Sequence, residues 1–319
     1  APSGSILVER DGQQTRLSAS AGPLPDPLEL AGEWEFSPES ANALVIGKWL
    51  STAEIPATEH RSYTGPQADD SAWLPMVPGA WAYQLPAEPT TPYPMAVWYR
   101  IPFQVERLPE QLDLIIDGFA GTEWHLYLNG QAVSAEPARS PFDAQMKSVD
   151  IRPQARLGDN LIALRLVLTN STDGLLDLLK LLGDFSLAGQ PGAYRIAEPR
   201  PSLQPGSWSS QGYPHYSGRA TYRQRFYLPE SFQGKRVFLE PAMDDDVLEV
   251  LVNGRPAGVR LWEPYTIEIS DLLQSGENLL ELRVANTLAN LLEAVERPSG
   301  LAGVPSLHAE NDFMFTFGS

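Results

Sequence analysis

Gly158-Asp159-Asn160-Leu161-Ile162-Ala163-Leu164-Arg165-Leu166-Val167-Leu168-Thr169-Asn170 returns later in the chain as Gly276-Glu277-Asn278-Leu279-Leu280-Glu281-Leu282-Arg283-Val284-Ala285-Asn286. Each copy opens on Gly-acid-Asn, a turn triplet whose glycine and asparagine tolerate left-handed backbone angles. Each continues by alternating apolar and mixed positions, the period of a β-strand with one buried face, and each stops at Asn. The flanks repeat as well. Tyr99-Arg100-Ile101-Pro102-Phe103 matches Tyr222-Arg223-Gln224-Arg225-Phe226. Leu126-Tyr127-Leu128-Asn129-Gly130 matches Val250-Leu251-Val252-Asn253-Gly254, and Asn-Gly is the strongest short hairpin signal. Pro141-Phe142 ahead of Val149-Asp150-Ile151 matches Glu263-Pro264-Tyr265 ahead of Ile267-Glu268-Ile269. Landmarks recurring in one order predict a duplicated β domain.

A length of 319 residues suits two domains, each large enough to bury a core without staples. The chain has no cysteine, which excludes disulfides, thiolate metal sites and a cysteine nucleophile. It does not fix the compartment, since many secreted or periplasmic bacterial proteins also lack cysteine. The net charge of −17 argues against nucleic acid and anionic membrane as partners; it suits solubility, neutral ligands or a divalent cation. No apolar run approaches the roughly 18 residues of a membrane span. Ala1-Pro2-Ser3-Gly4-Ser5 reads as a processed or engineered start, so the chain is expected to be a fragment.

Residues 1–27 are expected to be a lead-in, with a short edge strand at Ile6-Leu7-Val8 and a proline-punctuated linker. The first domain is expected over 28–190, a linker over 191–205 and the second domain over 206–319. Short, regularly spaced strands with almost no helix predict antiparallel sandwiches, of jelly-roll topology where eight strands are present. The last strands are expected near Ser306–Ala309 and Phe313–Phe317. The leucine-rich run Asp173–Leu182 fits a short helix or extended structure with a turn. Its bounding Gly174 and Gly183 favour the extended reading.

Several of these residues carry a resemblance. Asp70-Ser71-Ala72-Trp73, Val77-Pro78-Gly79, Trp98-Tyr99-Arg100 with Phe103, Asn129-Gly130, Pro141-Phe142 and Gly158-Asp159-Asn160 resemble the sugar-binding jelly-roll domain of family 2 glycoside hydrolases. The second copy is similar, with Gly212–Gly218, Asn286-Thr287-Leu288 and Ser299–Gly303 as its flanks. The resemblance covers roughly residues 30 to 309. It implies an all-β chain of two galactose-binding-like jelly-roll β-sandwich domains in tandem, similar to the C-terminal part of large bacterial enzymes of the α-L-rhamnosidase type. It also implies that catalysis belongs to a separate domain. Its motifs are specific for fold and weak for substrate.

Glycoside hydrolysis needs two carboxylates about 5 to 9.5 Å apart, and no motif pairs Glu123, Asp143 or Asp244 with a partner. No catalytic residue is assigned. His60, His125, His215 and His308 are scattered without a ligand spacing, which disfavours zinc. Asp244-Asp245-Asp246 and Asp69-Asp70 are the candidates for a structural calcium, against the alternative of solvated loops. The aromatic residues are the better lead, because sugar rings lie on Trp and Tyr faces while polar neighbours bind hydroxyls. Trp208, Tyr213, His215, Tyr216 and Trp262 are expected on one edge of the second sandwich, with Trp81, Tyr83 and Trp124 as their counterpart in the first. Packing between domains, or against a catalytic domain, is the competing reading and is favoured. The function expected is that of a non-catalytic accessory region of a bacterial glycoside hydrolase, binding carbohydrate or holding an upstream catalytic domain. The alternatives are a complete small glycosidase or polysaccharide lyase with its site between the domains, and a purely structural or protein-interaction module.

Overall fold

The structure is a computed structural model that describes residues 3–10, 13–20, 23–134, 137–140, 142–143 and 146–311, the first two segments by their backbone alone. The chain is all-β and forms two β-sandwiches. In one, an eight-stranded sheet runs Gln131–Ala132, Trp124–Leu128, Gly158–Leu168, Met95–Val105, Arg195–Ala197, Ser186–Ala188, with Trp49–Ala53 and Leu74–Met76 joined beside Met95–Val105. It faces a five-stranded sheet of Ala138–Arg139, Lys147–Asp150, Leu112–Ile116, Leu179–Gly183 and Asn42–Ile46. In the other, a six-stranded sheet runs Ser202–Leu203, Trp34–Pro38, Arg219–Leu228, Gly276–Ala285, Val247–Val252, Arg255–Arg260. It faces Ile267–Glu268, Arg236–Glu240, Ser306–Glu310 and Leu28–Glu29. Each sandwich has its own apolar core. The Ser3–Arg10 and Gln13–Ser20 strands pair with each other. The expected strand at Phe313–Phe317 and the start at Ala1-Pro2 lie outside the described residues, as does Pro141.

The repeated stretches are central strands, each paired along its length with the strand that carries the Tyr-Arg pair. Leu164 stands opposite Tyr99 and Ala163 opposite Arg100; Leu282 stands opposite Tyr222 and Glu281 opposite Arg223. The registers are equivalent, so the duplication is one of structure. The asparagines explain why it stayed legible. Asn129 and Gly130 have φ of 53° and 84°, Asn253 and Gly254 of 54° and 73°, the double positive φ that a type I′ hairpin requires. Asn129 Nδ2 donates to Asn160 Oδ1 at 2.9 Å, and Asn253 Nδ2 to Asn278 Oδ1 at 2.9 Å. Each hairpin asparagine accepts the next amide of the long strand, Leu161 or Leu279. Asn160 accepts from Arg156 N and donates to Arg156 O; Asn278 does the same with Gln274. The recurring asparagines therefore buckle the hairpin to the head of the central strand, a structural task.

The sheets correct the expected boundaries. Trp34–Pro38 pairs with Arg219–Leu228, and Leu28–Glu29 with Ser306–Glu310, so residues 28–38 complete the second sandwich. Their equivalents in the first are Asn42–Ile46 and Trp49–Ala53, which take the same places beside Leu179–Gly183 and Met95–Val105. The first sandwich is inserted between the second and third strands of the other. The expected linker is also absorbed. Arg195–Ala197 closes onto the first sandwich and Ser202–Leu203 onto the second. Asp173–Leu182 is extended, as its glycines favoured: Gly174–Leu175 and the start of Leu179–Gly183 are strands.

A loop over 54–74 covers the outer face of the eight-stranded sheet. Arg100, 3% exposed, meets Asp70 at 3.0 Å, donates to Tyr63 O and Gly65 O, and lies over the Trp73 ring at 5.5 Å. The Asp70–Trp73 and Trp98–Arg100 motifs thus meet as a clasp. In the second sandwich the equivalent Arg223 pairs instead with Glu281 at 2.7 Å and Glu35 at 3.2 Å.

Candidate functional site

Most of the aromatic residues expected on one edge of the second sandwich are inside it. Trp208 and Tyr216 are 0% exposed and Tyr213 1%. They pack with Phe36 and Tyr222 in a ring cluster with centroids 5.0 to 6.2 Å apart. Glycines and prolines kept 208–216 out of regular strands, as read, but the segment folds inward because Phe36 and Tyr222 offer an apolar floor. Their hydroxyls are spent internally: Tyr216 donates to Arg219 O at 2.6 Å, and Tyr213 to Arg200 O at 3.2 Å. His215, 3% exposed, lies between the sandwiches. Its Nδ1 accepts from Val45 N at 3.3 Å, and its Nε2 faces Glu296 at 3.6 Å. Burial pushes the imidazole down to about 4, so it is neutral at pH 7. These residues are corrected from binding candidates to core and interface.

In the first sandwich, Trp81 is buried, donating to Ser51 Oγ at 2.8 Å. Trp124 is half-buried with its ring against Phe119. Tyr83 is exposed. The three do not form one aromatic face.

The calcium candidates are corrected too. Asp70 is taken by Arg100, and Asp69 Oδ1 accepts Ser71 N at 3.0 Å. Asp246 is buried, with Oδ2 accepting Gly300 N at 2.7 Å, while Asp244 and Asp245 are exposed. Among the described residues no three His, Cys, Asp or Glu side chains converge as a metal set.

Trp262 behaves differently. It is 73% exposed, with Leu261 exposed beside it. It stands next in the chain to a groove of about 500 Å³ at one end of the second sandwich, built by Glu240–Met243 and Glu263–Thr266. Two strand ends position these loops: Arg236–Glu240 leads into the first, and Arg255–Arg260 runs through Trp262 into the second. Met243 and Tyr265, both buried, form its apolar floor. The Tyr265 hydroxyl donates to Asp246 O at 2.6 Å, tying the two loops together. The third loop, 300–304, holds the first: Ala302 N donates to Ala242 O at 2.6 Å. Ala242 sits at φ 52°, a left-handed angle that costs a non-glycine residue roughly 1–2 kcal/mol and that collects at binding loops. Burial, and after it the field of Asp246, Asp245, Glu263 and Asp244, pushes the Tyr265 phenol upward. An exposed indole beside an apolar-floored groove with a carboxylate rim can take the flat face of a pyranose and bind its polar substituents. The sequence reading singled out Trp262 and the aspartates 244–246, which flank the groove's lining in the chain. It missed Met243 and Tyr265, although Glu263-Pro264-Tyr265 stood out as a repeated landmark.

Two other grooves run between the sandwiches, of about 380 and 610 Å³. Their carboxylates are engaged: Glu39 with Arg219 at 2.7 Å, Asp184 with Gln111 N at 2.8 Å, Glu296 with Tyr194 at 3.1 Å.

No family model matches the sequence. Over 97 residues, 28% of this chain, it is 30% identical to a putative beta-glucuronidase of Formosa agariphila, and the match spans 8% of that protein. Solved structures with similarity include a rhamnosidase from Novosphingobium sp. PP1Y (21% identity over 67% of this chain and 23% of that one, TM-score 0.31). Others are a glycosyl hydrolase family 2 member from Bacteroides cellulosilyticus (16%, 76% and 31%, TM-score 0.35) and the exo-chitosanase CsxA of Amycolatopsis orientalis (15%, 78% and 30%, TM-score 0.38). The chain spans less than a tenth of the length of the curated relative and no more than a third of these structures.

Proposed function

We propose that this chain is a non-catalytic accessory region of a glycoside hydrolase, and that it binds carbohydrate through the Trp262 groove. The observation that carries the reading is Trp262 itself: an indole 73% exposed, one residue before the loop Glu263–Thr266 that builds a groove floored by Met243 and Tyr265. An apolar side chain this large costs solubility where it stands free and gains most by covering a sugar face. The sequence resemblance to family 2 sugar-binding domains and the 97-residue likeness to a putative beta-glucuronidase support a glycosidase setting. The engaged carboxylates of the two inter-sandwich grooves speak for binding over hydrolysis there, since hydrolysis asks for a free pair across the sugar. The test is a glycan array followed by calorimetry on Trp262→Ala. Loss of stacking should weaken binding by about 1–3 kcal/mol, with melting unchanged because the side chain is exposed. Binding untouched by the substitution, or turnover of nitrophenyl glycosides by the chain, would overturn the proposal.

A further inference from the structure

We propose that the outer face of the first sandwich holds a second sugar site, a small pocket that takes a single neutral pyranose residue. This site is separate from the Trp262 groove and does not depend on it. The pocket, of about 220 Å³, opens where Pro66 and Asp70 bring the 54–74 loop to the eight-stranded sheet. Its floor is apolar: Leu50 stands opposite Arg100 and Leu161 opposite Pro102, so Leu50, Pro102 and Leu161 share the face that carries Arg100. At one end stands the Arg100–Asp70 clasp. Arg100 is 3% exposed, yet its donors are not all spent. Nη1 goes to Tyr63 O and Gly65 O, and Nε lies 3.0 Å from Asp70 Oδ2 without the alignment of a hydrogen bond. Nη2 has no hydrogen bond among the described residues. A guanidinium buried with donors to spare is costly unless something takes them. At the other end Asp159 stands opposite Gln104, four residues along the strand from Arg100, about 13 Å. Asp159 Oδ1 accepts from Gln104 Nε2 at 2.9 Å, and Arg156 Nε donates to Asp159 O at 3.0 Å. Each end thus pairs a guanidinium with a carboxylate. A sugar hydroxyl can donate to the one and accept from the other, both charge-assisted bonds, while the C–H face of its ring covers the floor. The volume lies below the roughly 300 Å³ at which sites for drug-sized ligands begin, so it suits one ring rather than a chain. The two cations and two anions cancel. A uronate meets Asp70 and Asp159, and an amino sugar meets Arg100 and Arg156; each loses at one partner what it gains at the other.

The experiment follows the full chain by NMR, through its backbone amides and the Nε–H of Arg100, during titration with five monosaccharides: glucose, galactose, mannose, glucuronate and glucosamine. At least one neutral sugar should shift the signals of Gly65, Arg100 and Leu161 saturably. Glucuronate and glucosamine should bind there more weakly than the best neutral sugar. Arg156→Ala, which alters an exposed side chain, should raise the Kd at least about tenfold, the loss of one charge-assisted bond, with melting unchanged. Leu50→Trp, which fills the floor and leaves every charge in place, should abolish the shifts. No saturable shift at Arg100 with any neutral sugar overturns the inference and leaves the Trp262 reading standing. A Kd unmoved by both substitutions overturns it too, as does tighter binding of glucuronate or glucosamine. Shifts confined to Glu240–Met243 and Glu263–Thr266 would place all the binding in the Trp262 groove, and this site would fall alone.

Discussion

Asp246 is buried beneath the groove with one amide hydrogen bond and two neighbouring aspartates. Burial first, then the fields of Asp245 and Asp244, push its carboxyl up to about 6, against the bond from Gly300 N. A carboxyl whose folded value lies above its unfolded one stabilises the fold when protonated. That contribution is complete below about pH 4 and is lost as pH rises through about 6. Asp246→Asn keeps an oxygen for Gly300 N and removes the ionisation. The variant should therefore gain on the wild type steadily between pH 4 and 7, reaching about 3 kcal/mol at most, two pKa units' worth. Melting curves across that range check it; parallel pH profiles for the two proteins would sink the account. The sequence showed Asp244-Asp245-Asp246 only as charge, because which of three adjacent acids turns inward depends on the pleat and on Tyr265 reaching back from another loop. Trp262 was legible because a tryptophan next to Glu-Pro at a strand end has nowhere regular to go. Trp208 carried the same kind of signal and went the other way, since Phe36, distant in sequence, supplies its floor.

Individual strands were legible from alternation, and the asparagine-glycine hairpins from their turn chemistry. Membership was not. Trp34-Glu35-Phe36 reads as a strand from its pattern and, from its position, as part of the first domain. Neighbouring elements usually pair, but not always, and here Trp34–Pro38 crosses to Arg219–Leu228, a hundred and eighty residues on. The pairing is decided by burial. Trp34 and Phe36 complete the core that holds Trp208, Tyr213 and Tyr222. Trp34 is fully buried, with its Nε1 donating to Leu30 O at 3.2 Å. Trp34→Ala should then cost about 3–5 kcal/mol and should loosen the second sandwich. Hydrogen exchange should find the new exposure in Arg219–Leu228 and Gly276–Ala285, with Gly158–Leu168 still protected. Equal loss of protection in both sandwiches, or loss confined to the first, would contradict the nested arrangement.

Insertion of one sandwich into the other brings the chain across the junction twice, and the junction is built accordingly. Asn42 Nδ2 donates to Phe185 O at 3.0 Å and to Gly212 O at 3.1 Å. Leu187 N donates to Gly212 O, whose residue sits at φ 102° with Ser186 3.1 Å from where a Cβ would stand. Leu291 and Leu292, from the short Ala289–Glu293 helix, join Ala43, Ile115 and Leu182 on the back of the five-stranded sheet. His215 is the titratable group at the centre. Val45 N reaches its Nδ1, Glu296 faces its Nε2, and the Tyr194 ring stands edge-on at 5.6 Å. Its folded value of about 4 lies below the ordinary 6.5 of histidine. Stability from keeping it neutral is therefore complete above about pH 6.5 and drains away as pH falls toward 4. Burial lowers the value and a backbone hydrogen bond with Ala43 opposes it; the maximum at stake is about 3 kcal/mol. Protonation at Nδ1 removes the acceptor from Val45 N–H. Protection of that amide, corrected for intrinsic exchange, should fall between pH 6.5 and 4 before the interior amides of either sandwich do. His215→Asn, which can still accept at that position and cannot take a proton, should start less stable and lose the slope. A Val45 amide equally protected at both ends of that range would mean that His215 does not gate the junction.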